Sequence, residues 1–485
     1  MKRIAALLVM AIAFLAKVEA QEWPTATPES QGMDSGALTA LVEYGAKMQM
    51  DSLVVVRNGR IVGEAYYGPY RASMKHRINS ATKGVVSALT GIAIGRGDLP
   101  ATTTPLAELI PAAGAAGDAR WSKVTLQHLL DMTSGVDWSE PLTGIPLSLL
   151  ELQRSRNWEQ FILARPVVRD PGTVFDYNSG NAHLLSIALM RRTGQPTDAY
   201  ARKYLFEPLG IADYRWLRDP QGVAIGAFGL YLRTRDMARI GQLYLQRGAW
   251  NGRQVIPRDW VGRVFTPKTD MSLPGFRYAD FWWSIPARRA YMMVGFNRQV
   301  VMVLPDLNVV AAMTGRGNYP LEEVIALLQR AATSATPIPE NPQSQAVLNS
   351  RVEDVANGPG MPGGEGVKAA VLKGRYRVED NPLGVREFAL DFSASPATYR
   401  ILMRARELSA PVGLEGRFIE TQDSGTSLFT RAAWQDANTL LLEQRWPEEG
   451  AWTVYMVKFS GDEAEIASVN GLGMKSAWKA HRIAD

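Results

Sequence analysis

The chain of 485 residues has no cysteine and only four histidines, His76, His128, His183 and His481. Without a thiol there is no disulfide, no lipid-modified cysteine and no cysteine nucleophile, so stability has to come from the size of the core. The histidines form no H-E-x-x-H pair, which together with the missing thiols removes the usual zinc hydrolases. No G-x-S-x-G sequence occurs, so an α/β-hydrolase nucleophile elbow is excluded. Past the first twenty residues no apolar run is long enough to span a bilayer. Basic residues are scattered and no phosphate-cradling glycine loop is found, so nucleic acid is not an expected partner despite a formal net charge of +5.

What is present, 46% hydrophobic and 21% charged residues, is ordinary for a globular protein with ample core. The length predicts two or three domains. The opening "MKR", the apolar "IAALLVMAIAFLA" and the small-residue "VEA" predict a signal peptide over 1–20 and a mature chain from Gln21, hence a bacterial periplasmic or secreted protein. The alternative, an uncleaved anchor, is opposed by Lys17 and Glu19, which interrupt the run. Cleavage also removes Lys2 and Arg3 and leaves a net charge of about +3.

"DSLVVVRNGRIVGEAYYG" reads as a hairpin turning at Asn58-Gly59. A helical middle follows, and strands return in "FWWSIPARRAYMMVGFNRQVVMVLPDLNVVAAMTG", around a Pro305-Asp306 turn. The fold class is therefore α+β, with early and late strands in one antiparallel sheet and "PLEEVIALLQRAAT" as its last helix. The expected domains are 21–336, a Pro- and Gly-rich linker or long exposed loop over 337–366, and an all-β barrel or sandwich over 367–485, where short strand-like runs alternate with turn residues.

Three motifs carry chemistry. Ser80-Ala81-Thr82-Lys83 is S-x-x-K at the mouth of a helix that is apolar on nearly every side, and a lysine there needs a partner. A spacing of three puts both side chains on one helical face; taken alone, Ser80 would be an ordinary N-cap. The same pattern at Ser476–Lys479 falls in the β-rich tail and has no buried helix behind it. Tyr177 precedes a Gly-containing turn and an apolar helix in "GTVFDYNSGNAHLLSIALMRRTG". Gly295 interrupts a strand, which signals a bulge or the close approach of another backbone.

In this order and spacing the motifs, with "HRINSATKGVVSAL", "VTLQHLLDMTSGVDW" and "FGLYLRTRDMARIGQLYLQRGAWNGRQVI", resemble the serine β-lactamase and penicillin-binding protein family over roughly residues 25–335. The nearest likeness is to its class C, esterase and 6-aminohexanoate-dimer hydrolase branch, and the tail resembles a lipocalin-like barrel. The resemblance implies an acylated Ser80 paired with Lys83, Tyr177 as base or proton relay, and an oxyanion hole formed by the backbone N–H groups of Ser80 and Phe296. It implies a substrate-binding role for Ser179, Gly295, Asn297 and Arg298. Two departures stand out: the second motif reads Tyr177-Asn178-Ser179, with a hydroxyl where the family usually has a carboxamide, and the third reads Met293-Val294-Gly295, without its cation. Arg298 or Arg316 would be the replacement, or each is a solvated strand-end arginine. Of the tryptophans, Trp138, Trp282 and Trp283 would line a cleft or, more simply, fill the core. The expected activity is cleavage of an amide or ester in a small-molecule or short-peptide acyl donor, with no cofactor and no metal. A D-amino-acid peptidase, a weak β-lactamase and a non-catalytic binding or sensing module are the alternatives, and the oligomeric state stays open.

Overall fold

The computed structural model describes residues 23–142, 144–358, 360–361, 373–381, 383–471 and 473–484; the predicted signal peptide and its cleavage site lie outside the described residues. The first half is built on an eight-stranded antiparallel sheet. After helix α1 (Ser35–Lys47), strands β1 (Met50–Arg57) and β2 (Arg60–Tyr66) form the expected hairpin, with Asn58 at φ +50° and Gly59 at φ +76° in its turn. A short strand β3 (His76–Arg77) leads into helix α2 (Thr82–Gly95); helix α3 (Ser179–Thr193), strands β4 (Arg215–Trp216) and β5 (Leu230–Leu232) and helix α4 (Thr234–Leu245) follow. The late strands are β6 (Thr269–Asp270), β7 (Arg277–Ala279), β8 (Trp282–Ile285), β9 (Ala290–Gly295), β10 (Gln299–Leu304) and β11 (Val309–Gly315). The order across the sheet is β2-β1-β11-β10-β9-β8-β7-β6, so early and late strands meet at β1 and β11, with Val54 opposite Ala312. Strands β1, β9, β10 and β11 are buried along their whole length, which explains their unbroken apolar runs.

Helix α5 (Leu321–Ala331) closes the sheet as expected and packs with α1. The segment 337–366 departs from its reading as linker: it carries helix α6 (Pro342–Asn357), which packs on α1 and β2 and buries Leu348 and Val355. The signal was present in "NPQS". Asn341 accepts from the Ser344 backbone N–H at 3.1 Å and Pro342 occupies the first helical position. Proline content pointed to a linker, whereas proline at that position starts a helix.

The tail is a ten-stranded antiparallel sheet, β12 (Lys373–Val378), β13 (Val385–Asp391), β14 (Thr398–Met403), β15 (Glu407–Pro411), β16 (Ile419–Asp423), β17 (Thr426–Trp434), β18 (Thr439–Trp446), β19 (Ala451–Ser460), β20 (Glu463–Asn470) and β21 (Lys475–Ile483). In the order β15-β14-β13-β12-β21-β20-β19-β18-β17-β16 it curls into a nearly closed barrel, and a bridge from Gly413 to Arg431 spans the remaining gap. Alternate residues such as Tyr376 and Val378, Phe388 and Leu390, Trp478 and Ala480 fill its own core. The second S-x-x-K lies on extended β21, where a spacing of three puts Ser476 and Lys479 on opposite faces.

Candidate active site

Ser80 sits in a 3₁₀ turn, Asn79–Ala81, one step before α2. It is not the N-cap of that helix. Ala81 takes that position and no side chain caps it, so the half-buried Ser80 hydroxyl is not spent on the helix end. Asn79, at φ +48°, turns the chain sharply just ahead of it, the kind of backbone strain that functional turns store.

Lys83 is the buried centre of the site, only 1% exposed. Its Nζ donates to Ser80 Oγ at 3.1 Å, Ser179 Oγ at 3.1 Å and the Ala227 carbonyl at 2.9 Å. Burial lowers its pKa from the ordinary lysine value to about 8, against an opposing upward pull from the Glu140 charge. Nζ also lies 4.8 Å from the centre of the Tyr177 ring. Tyr177 is buried, and its phenol pKa is pushed far up by burial first and the Glu140 charge second, with the Ser80 hydroxyl pulling weakly the other way. The phenol therefore stays protonated at neutral pH. Two anchors hold the tyrosine: Asp176 N–H donates to the Met132 carbonyl at 2.8 Å, and Asn178 caps α3 by accepting from Asn181 N–H at 3.2 Å.

Two residues at this centre have no motif in the sequence. Glu140 is a buried carboxylate that accepts from the Ser179 hydroxyl at 2.7 Å, the Ser179 N–H at 2.8 Å and Trp138 Nε1 at 2.7 Å. Ala227 contributes only a carbonyl. Its loop approaches α3 so closely that a Cβ on Gly226 would stand 2.1 Å from the Ala182 carbonyl oxygen. Behind it, buried His183 bonds Asp219 at 3.1 Å. A single buried glutamate and a backbone oxygen leave no spacing to read.

Gly295 does what its position suggested. A Cβ there would fall 2.2 Å from the Ile78 carbonyl and 3.2 Å from Ala81 N, so the end of β9 lies directly against the Ser80 turn. The Phe296 carbonyl accepts from Asn79 Nδ2 at 3.2 Å, tying the two backbones together, while the Phe296 side chain is 60% exposed.

The other predicted substrate contacts are arranged differently. Ser179 is fully buried between Lys83 and Glu140, accepting from the lysine and donating to the glutamate. Asn297 and Arg298 form the β9–β10 turn, at φ +59° and +61°, and the Arg298 guanidinium is committed to the Tyr319 carbonyl at 2.7 Å. Arg316 is bound to Asp51 at 2.8 Å. Arg316 is thus an almost wholly buried partner of Asp51, and Arg298 is bonded back onto the fold through its Nε. Met293 faces α2 with Cγ 2.5 Å from where a Cβ on Gly84 would be, so packed thioether fills that position. Trp282 packs tilted against Tyr244 with ring centres 4.3 Å apart and Trp283 meets Phe276 edge-on at 6.0 Å, both as core, while Trp138 touches the site through Glu140. Among the described residues no group of three or more His, Asp or Glu side chains could hold a metal ion, and no helix is long and apolar enough to cross a membrane.

The Beta-lactamase family profile matches residues 38–335. A curated relative, the 6-aminohexanoate-dimer hydrolase of Paenarthrobacter ureafaciens, is 24% identical over 254 residues, 48% of this chain and 64% of that protein, so the chain spans just under two thirds of that relative's length. Among solved structures, a Bacillus anthracis protein provisionally named a 6-aminohexanoate-dimer hydrolase superposes with a TM-score of 0.51 at 21% identity, covering 69% of this chain and 87% of the other. A penicillin-binding protein homologue from Caulobacter crescentus gives 0.50 at 15% identity, covering 62% and 98%. The structural likenesses speak for the fold, and the profile covers more than half the chain: the protein belongs to the beta-lactamase family.

Proposed function

We propose that the protein cleaves an amide or ester through an acyl-Ser80 intermediate, with Lys83 as general base and Tyr177 as a neutral proton relay. The observation that carries this reading is the hydrogen-bond set of Lys83. The Ser179 proton is committed to Glu140 and the Ala227 carbonyl can only accept, so both take N–H bonds from Lys83. In the neutral amine the remaining direction, the lone pair, faces Ser80 Oγ at 3.1 Å. With its pKa lowered to about 8 by burial, a useful share of Lys83 is neutral at physiological pH.

Lys83 takes the Ser80 proton as Oγ bonds to the acyl carbon. The carbonyl oxygen becomes an oxyanion facing the N–H groups of Ser80 and Phe296. Collapse expels the amine or alcohol, which receives the proton from the lysinium through the Tyr177 hydroxyl. A water then adds to the ester by the same path and frees the acid and the serine. Loss of one oxyanion donor costs about two to three orders of magnitude in rate.

The cation that would grip an acyl donor's carboxylate is replaced by packed Met293, which favours neutral linear amides and esters over β-lactams or D-amino-acid peptides. The named substrate of the curated relative, a dimer of 6-aminohexanoate, is joined by an amide bond. Export to the periplasm or medium belongs to the same proposal and rests on the predicted leader; protein retained in the cytoplasm with residues 1–20 still attached would contradict it. The catalytic assignment is tested by fluorophosphonate labelling: the wild type should label at Ser80 and Ser80→Ala should not. Equal labelling of both, or none of the wild type, would overturn it.

A further inference from the structure

We propose that Glu449, in the C-terminal barrel, is a positioning residue of the hydrolase: it locks the small sheet from whose ends Ser80 and Ala227 extend toward Lys83. The inference rests on the acyl-Ser80 reading. Strands β3, β5 and β4 form this three-stranded sheet, and Arg77, Tyr231 and Arg215 lie opposite one another in a single cross-strand row. The barrel turn Pro447–Glu449 docks on that row. Glu449 accepts from the Tyr231 hydroxyl at 2.8 and 2.6 Å and from Arg215 at 2.7 Å, and stands 3.8 Å from Arg77. The contact has no slack, since a Cβ on the next residue, Gly450, would be 2.9 Å from the His76 ring.

Both ends of the row lead into the site. Three residues beyond Arg77 is Ser80, and Ile78 N–H bonds the Leu230 carbonyl at 2.9 Å on the way. Four residues before Tyr231 is Ala227, whose carbonyl holds Lys83. The separation of these two points sets where the lysine lone pair falls relative to the serine hydroxyl. One carboxylate bonded across the row fixes that separation, and it comes from the other domain. Elsewhere the interface is held by separate contacts: Arg71 pairs with Glu420 at 2.8 Å on the surface, Tyr70 and Met74 pack with Phe429, and Arg445 donates to the Gly68 carbonyl at 3.1 Å.

The test compares Glu449→Ala, Tyr231→Phe and the interface control Glu420→Ala in the full chain, on a p-nitrophenyl ester that the wild type turns over. Tyr231→Phe removes only the hydroxyl and keeps the ring that stacks 3.8 Å under Arg215, so it repeats the test with packing intact. Glu449→Ala and Tyr231→Phe should each lower kcat about tenfold with KM within twofold and slow fluorophosphonate labelling of Ser80 in proportion, since small misplacements of reacting groups cost that much. The double variant should be no worse than the single ones, and Glu449→Gln, which still accepts from Tyr231, should recover part of the loss. Glu420→Ala should match the wild type. Wild-type kcat in both Glu449→Ala and Tyr231→Phe, or an equal loss in Glu420→Ala, would overturn the inference and leave the acyl-serine reading standing. Failure of the wild type to label at Ser80 would overturn both.

Discussion

The amine of Lys83 has a fixed direction because two of its three partners can do nothing but accept. Ser179 is held in that role by Glu140, which accepts the hydrogen bond from its hydroxyl. Lys83→Ala and Tyr177→Phe should each reduce kcat by orders of magnitude with an unchanged circular dichroism spectrum; normal rates in either variant would refute the assigned roles. For the wild type, kcat/KM should rise with pH through about 8, because only the neutral amine accepts the serine proton. Glu140 pulls that pKa upward, so Glu140→Gln should move the acid limb to lower pH by about one unit while lowering the plateau, as the Ser179 hydroxyl becomes free to turn. A pH–rate profile with a lowered plateau and an unmoved limb would reduce Glu140 to a packing role. The sequence made Ser80, Lys83, Tyr177 and Gly295 legible, because side-chain chemistry and helix context leave a pattern. It could not reveal that Ser179 is buried or that Arg298 and Arg316 are already engaged, since partner choice depends on what the fold brings alongside.

Among the elements, the meeting of β9 with the Ser80 turn is the tightest constraint on the site. Gly295→Ala would drive a methyl group into the Ile78 carbonyl, pushing the strand end and the Phe296 N–H away from the serine, and kcat should fall about a hundredfold. The buried trio behind this turn makes a second constraint: Asp51 on β1 bonds His76 at 3.2 Å and Arg316 at 2.8 Å. Burial raises the Asp51 pKa, but Arg316 and His76 outweigh it and bring the carboxyl down to about 2. Asp51 therefore stabilises the fold above its unfolded pKa, and that contribution is lost as pH falls through about 2. Asp51→Asn, which leaves Arg316 buried without its counter-charge, should cost about 3 kcal/mol in urea denaturation at pH 7. The hairpin at Asn58-Gly59 and the central strands were readable because turn chemistry and unbroken apolar runs are local signals. Helix α6 was not, because its charged and polar faces hide a stripe as thin as Leu348 and Val355.

For the whole molecule, the β-lactamase-like half and the barrel each have their own core, joined by the Tyr70, Met74 and Phe429 cluster and by the charged row under Glu449. A chain ending after residue 358 should keep a cooperative thermal transition, because α6 and the sheet remain complete, yet it should turn over ester more slowly than the full protein. Aggregation with no transition would mean the barrel completes the first core. The family and the two-part layout could be read from motif order and from the change in texture past residue 336, whereas the contact between the parts could not, since nothing in the sequence pairs Glu449 with Tyr231. The central claim, that a buried amine strips Ser80 of its proton so that it takes up an acyl group, is tested most directly by intact-mass and peptide analysis of protein quenched during turnover of a p-nitrophenyl ester. The mass of the acyl group should appear on the peptide carrying Ser80 in the wild type and be absent from Ser80→Ala and Lys83→Ala. An acyl adduct on another residue, or unimpaired adduct formation in Lys83→Ala, would contradict the account.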